Sequence, residues 1–352
     1  MDSLFLYLFV TMATTVNSII FKKQRNLLIF TAAILLSLTY GLRVGIGNDY
    51  AQYENIYKQI KLGSYSAIEP TYILLTNMLN SFDNGFNYLM VIYSFLTFIF
   101  CYIGIRKYDI YSYVPILMFS TGFIFFVDNQ VRQALATAFF IYYMRFISTR
   151  EFGKYAICVV ISTIFAHFSS AILIFCYFIK KKRVSELWWI LFIAIAYIIM
   201  KFDVVNFLLS KIISIVPYYS DLYLQRFSSM KIEETGSGLG VIFWLLMATF
   251  AVVYSREVDD VVLVNLFLVG TIINTIFINY DIFERVSFYF IYLRFIILAL
   301  IIKKIMFRSY IDFMLSILII SLTLMFSSYE IINNSNKHGS VPFSTLYFKA
   351  ES

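Results

Sequence analysis

The chain has 352 residues, of which 61% are hydrophobic and 20% aromatic, while only 14% are charged. A soluble domain carries about 25% charged residues, so an ordinary cytosolic enzyme is excluded and a lipid bilayer is the expected solvent. The net charge of +7 is scattered through short connections between apolar runs and forms no long basic tract, which argues against nucleic acid and for the positive-inside distribution of a membrane protein.

In chain order, apolar segments run at about 3–21, 26–42, 86–105, 112–127, 130–148, 154–179, 187–202, 239–255, 261–280, 285–302 and 309–328. Most are long enough to cross a hydrocarbon core of roughly 30 Å as a helix. The N-terminus, MDSLFLYL, has no basic residue before its apolar run, so a first helix is expected there in place of a cleaved signal peptide. With KKQR at 22–25 on the cytoplasmic side, RKYD at 106–109 and the basic stretch from Arg145 to Lys154 fall on that side too. The next cluster, KKKR at 180–183, also belongs inside, so the segment 154–179 must enter and leave on one face. Two full crossings would need about 40 residues, which the segment lacks. It is therefore predicted to be a re-entrant or broken helix with its bend near His167.

This threading predicts an all-α polytopic membrane protein with about ten full crossings, folded as one domain over 1–352. It places the loops 43–85 and 203–238, and both termini, on the extracytoplasmic side. Cys101, Cys158 and Cys176 lie inside apolar runs without metal-ligand spacing and read as packing residues.

The first outer loop contains GLRVGIGNDYAQYENIYKQI. The two glycines of GIGN suit a tight turn, with Arg43 and Asp49 flanking it at the end of a helix. Tyr50, Tyr53 and Tyr57 follow at spacings of three and four, one face of a helix. They suit either an interfacial aromatic belt or a sugar-stacking surface. Glu69 precedes Pro70, where a carboxylate can mark a helix start. VDNQVRQALA puts Arg132 and Gln133 just inside a helix, where an arginine either snorkels to headgroups or holds an anion through its planar five-donor fork. His167, in IFAHFSSAIL, is either a packing residue or a group facing a cavity at the bend. In the loop 203–238, YYSDLYLQRF gives a weak sugar-stacking signal. Farther on, YDIFERVSFYFIYLRF sets Arg285 and Tyr289 on one helical face and buries Arg294 nearly three turns deep, costly without an acidic partner, phosphate or water. A local pair of Asp281 or Glu284 with an arginine is the plain alternative.

RVGIGNDYAQY, EPTYILL, VRQALA, HFSSAIL and ERVSFYF stand in the order found in the EpsG-like branch of the Wzy-type polysaccharide polymerases, which the chain resembles over about residues 41–295. GIGNDY replaces the GTDY of many relatives, so no hydroxyl role carries over at that turn. The resemblance implies a GT-C-like fold in the bacterial inner (plasma) membrane. It implies an enzyme that joins undecaprenyl-diphosphate-linked oligosaccharide repeat units by glycosyl transfer at the periplasmic face, releasing undecaprenyl diphosphate, for O-antigen, capsule or exopolysaccharide. An O-antigen ligase and a lipid-linked oligosaccharide flippase are the alternatives; a flippase would be expected to show repeats.

Carried over by motif, the implied residues are Arg43, Asp49, Glu69, Arg132, Gln133, His167 and Arg285. Asp49 and His167 are the candidate catalytic bases, with Asp49 slightly preferred. Arg43, Tyr50, Tyr53, Glu69, Arg132, Gln133, Arg285, Tyr289 and Arg294 are the candidate substrate-binding set, the arginines bearing the leaving diphosphate. No metal or cofactor is expected. Membrane lipids are expected partners, and a chain-length regulator is an optional one.

Overall fold

A computed structural model describes residues 2–64, 68–208, 238–333 and 343–346. The stretch 218–226 that gave the sugar-stacking signal lies outside the described residues. Among those described there is no strand, only an isolated antiparallel bridge between Arg43 and Thr345. The protein is an all-α polytopic membrane protein. Four helical stretches are long and apolar enough to cross a bilayer, Ser3–Ile20, Gly85–Tyr108, Phe283–Ile305 and Tyr310–Ile332. They are accompanied by shorter apolar helices such as Arg25–Gly41 and Val261–Phe277.

The chain divides into two compact units, residues 1–178 with 298–352, and residues 179–297. In the first unit, α1 (Asp2–Ile20) and α2 (Arg25–Gly41) lead into the loop 43–85, which carries α3 (Tyr50–Lys61) and α4 (Pro70–Leu79). Then come α5 (Gly85–Gly104), α6 (Val114–Ser120), α7 (Phe123–Asn129), α8 (Val131–Tyr143) and the short α9 (Arg145–Thr149). Small residues let these helices approach closely, as in membrane helix packing. A Cβ at Gly41 of α2 would collide with the backbone of Val91 in α5, and one at Gly104 of α5 with Ile141 in α8.

Two of the apolar runs are broken, one as expected and one not. The run 112–127 divides into α6 and α7 because Gly122 adopts a left-handed backbone, φ 77°. The run 154–179 divides into α10 (Phe152–Phe165) and a 3₁₀ helix, Phe168–Phe178, with the junction at Ala166 and His167. This is the broken segment expected from the charge pattern. Runs of 3₁₀ helix longer than three or four residues are uncommon and mark strained or functional segments; this one has eleven residues.

This loop is anchored beneath by Arg43, which is fully buried. Its guanidinium donates to the carbonyls of Tyr40, Ile46 (3.2 Å) and Asp128 (2.8 Å), and Nε lies 3.6 Å from the Asp128 carboxylate. Asp128 also accepts from the Tyr7 hydroxyl at 3.3 Å. Gly47, φ 97°, crosses directly over the Asp128 carbonyl, where a side chain would not fit. The C-terminal residues 343–346 close the arrangement: Val44 N donates to Ser344 O at 2.9 Å and Leu346 N to Leu42 O at 3.1 Å.

In the second unit α11 (Glu186–Lys201) packs with the helix Val261–Phe277, which in turn packs on Asp281–Ile291. The KKKR turn is fixed from below. Asn265 donates to the carbonyls of Lys180 (3.0 Å) and Lys182 (3.2 Å), and Arg183 to those of Ser255 and Val258 (2.5 Å).

Candidate functional site

The strongest constellation of polar side chains in the first unit forms around Glu69. Pro70 occupies the first turn of α4, where its missing N–H costs nothing. Glu69 is therefore the N-cap, yet its side chain makes no capping bond to its own helix. The carboxylate turns away and is fully buried. One oxygen, Oε1, accepts from the peptide N–H of Phe168 at 3.1 Å and lies 2.7 Å from His167 Nδ1. The other, Oε2, accepts from the Arg132 guanidinium.

The break after α10 explains why this carboxylate is needed. Ala166 N and His167 N both bond to Ser162 O, at 2.9 and 3.0 Å, which ends the helix. The second half then starts with an unsatisfied N–H at Phe168, and the Glu69 oxygen accepts it. Negative charge at a helix start is favourable on the same grounds. Glu69 thus joins three distant stretches of sequence through two oxygens.

Burial alone would raise the Glu69 pKa, but the His167 hydrogen bond and the Arg132 charge outweigh it and hold it at about 2, well below its ordinary 4.5. Because the folded value is depressed, this contribution to stability is complete above about pH 4.5. It is lost as pH falls toward 2, and amounts to about 3 kcal/mol. Thermal unfolding in detergent should show the wild type losing stability between pH 5 and 3. Glu69→Gln should lack that component; the same acid dependence in both proteins would refute the assignment.

Arg132 sits in the first turn of α8 with its side chain 17% exposed. Its guanidinium lies 5.3 Å from the centre of the Tyr53 ring and 6.0 Å from that of Tyr72, within cation–π range. Its Nε is buried without a partner. Tyr72 is itself buried and donates to Tyr53 O at 2.9 Å, so the two rings are locked around the cation. His167 is 26% exposed. With Nδ1 donating to the Glu69 carboxylate, Nε2 is the nitrogen left to accept a proton.

The sequence candidates therefore separate. Tyr53, Glu69, Arg132 and His167 are brought together. Arg43 is enclosed beneath the loop, where it holds main chain. Asp49 starts α3 and is half-buried. Tyr50 is buried against Phe86, ring centres 5.2 Å apart, and Tyr57 packs on the same ring at 5.6 Å. These tyrosines are core contacts of α3 and not an interfacial belt. Gln133 is buried beside Arg132 on α8. Tyr72 did not emerge as a candidate, although it stands three residues after Glu69 in EPTYILL, one turn into the helix that Pro70 announces.

In the second unit, Arg285 is half-buried and Tyr289 fully buried on the helix Asp281–Ile291. Arg294 stacks on the Trp244 ring at 3.7 Å and lies 5.3 Å from that of Tyr292. Glu284 accepts from Asn274 at 3.3 Å, and Asn274 also donates to Ser287 at 3.0 Å. The Asp281 side chain lies outside the described residues.

Among the described residues, no group of three His, Cys, Asp or Glu is placed to hold a metal ion. No curated protein and no solved structure matches the chain. The model of the EpsG family matches residues 26–345, which include every motif that meets at Glu69. By that match over most of its length, the chain belongs to the EpsG family.

Proposed function

We propose that this protein is a polysaccharide polymerase of the bacterial inner membrane that joins polyprenyl-diphosphate-linked repeat units at the periplasmic face. Family membership supports a polysaccharide-polymerase-like role in general. The observation that carries the finer reading is the buried carboxylate of Glu69, which holds an imidazole and a guanidinium side by side.

The two held groups match the two needs of glycosyl transfer from a lipid diphosphate. The donor is the growing glycan on undecaprenyl diphosphate, and the acceptor is a sugar hydroxyl of one lipid-linked repeat unit. The bond from the donor's anomeric carbon to the phosphate oxygen breaks, and a bond from that carbon to the acceptor oxygen forms. The hydroxyl proton passes to His167 Nε2, as general base. Glu69 fixes the tautomer and supports the imidazolium that results. The departing lipid diphosphate gathers negative charge against Arg132, whose planar donors suit phosphate oxygens. Tyr53 and Tyr72 hold that guanidinium in place. Asp49 is then a residue of the acceptor side, and Arg43 positions the loop that carries it. Arg285, by the family motif, and Arg294, by the cost of burying it, stay candidate anion ligands within the second unit.

In this reading guanidinium groups supply the charge that a divalent ion supplies elsewhere. Purified protein with lipid-linked repeat units should build polymer in the presence of EDTA. A requirement for added divalent metal would refute this part of the proposal.

A further inference from the structure

A second cationic feature lies at the opposite end of α2. Lys23, Gln24, Arg25, Asn26, Leu27 and Arg106 line an open bowl of about 490 Å³. It is separated from the Gly41 end of α2, and so from the outer loop, by the helix length of about 25 Å. Four of the six residues form the start of α2. Its N-cap Gln24 makes no side-chain capping bond, and its first turn contains no acidic residue. Free N–H groups and the positive end of the helix dipole therefore face the same space as three cationic side chains.

The neighbouring acidic group does not cancel this charge. Asp109 is shared between Arg25, at 3.3 Å, and Lys303, at 3.7 Å. Lys303 is further committed to the carbonyls of Tyr108 and Asp109, at 3.0 and 2.9 Å. Lys23 and Arg106 enter no ion pair among the described residues. Independently, Tyr111 is 3% exposed and its hydroxyl has no partner. It lies within the field of Arg106, Arg25 and Asp109.

The wall of the bowl also indicates what carries the anion. Leu27 lines it and is 40% exposed, and the exposed face continues down α2 through Phe30 (51%) and Leu38 (48%). These positions fall on one side of the helix, so a cationic mouth opens directly onto an apolar stripe. A free phosphate would use only the mouth, whereas a phospholipid would use both.

We propose that the bowl of Lys23, Arg25 and Arg106 is a binding site for the headgroup of an anionic phospholipid, with an acyl chain lying along Leu27, Phe30 and Leu38. The test is thermal unfolding of the detergent-solubilised full chain with short-chain phosphatidylglycerol, phosphatidylcholine of equal chain length, or inorganic phosphate. Phosphatidylglycerol should raise Tm by several degrees and the other two should not. Lys23→Ala/Arg106→Ala should lose the shift, and Arg106→Gln, a milder change, should at least halve it. Lys181→Ala/Lys182→Ala, which removes two exposed cations elsewhere, should keep it. An equal shift with phosphatidylcholine would refute the headgroup site, and an equal shift with inorganic phosphate would refute the lipid. Retention of the shift in Lys23→Ala/Arg106→Ala, or its loss in Lys181→Ala/Lys182→Ala, would also overturn the proposal.

Discussion

Replacing Arg132 with alanine should abolish polymer while leaving a single repeat unit attached at the cell surface. The substitution removes the guanidinium that shares Glu69 with a candidate base. Losing one donor to a developing anion costs about 10²–10³ in rate, and the loss here is of a full charge with its donors. A second cost falls on stability, because the fully buried Glu69 loses one of its two cationic-type partners. Breaking a buried pair in this way costs about 3–5 kcal/mol, so the folded fraction must be measured alongside activity. Arg132→Lys separates the two effects. It keeps charge near Glu69 but not the planar fork, and should restore folding while recovering little polymerisation. Loss of all surface glycan, the single unit included, would indicate the ligase or flippase reading.

The second large effect is expected at His167 and Glu69, which should behave as one unit. A general base contributes about 10²–10⁴ in rate, so His167→Ala should lower kcat by that factor with a smaller change in KM. Glu69→Gln leaves the imidazole in place but removes the charge that orients it and supports its protonated form. A comparable fall in kcat is expected. The double variant should then be scarcely slower than His167→Ala, since residues acting through one another are not additive. Additive losses would show that Glu69 acts through Arg132 alone. Unchanged kcat in His167→Ala would move the base elsewhere, with Asp49 the first alternative.

Much of the fold was legible because membranes impose simple constraints. Apolar run lengths and the placement of KKQR, RKYD and KKKR led to the broken segment, and the break falls at Ala166 and His167. The motifs that resemble the family pattern also named Glu69, Arg132 and His167. What they could not supply was the pairing. Glu69 followed by Pro70 reads as a cap because the local sequence holds nothing else for it to bind. Its partners come from α8 and from the half-helix junction, 63 and 98 positions away. Arg43 illustrates the converse. A guanidinium beside a glycine turn suits a cavity, but the carbonyls of Tyr40, Ile46 and Asp128 enclose it. Sequence shows the donor and not the number of acceptors folded around it. The tyrosine spacing of α3 identified the face, while the direction of that face, inward against Phe86 and Tyr72, depends on α4 and α5.

The most direct measurement is a density map of the protein with a polyprenyl diphosphate bound. A phosphate oxygen should lie within about 3 Å of the Arg132 guanidinium, on the side away from Glu69, with the His167 imidazole facing the sugar end of the ligand. A diphosphate held elsewhere, with Arg132 engaged by Glu69 alone, would contradict the account.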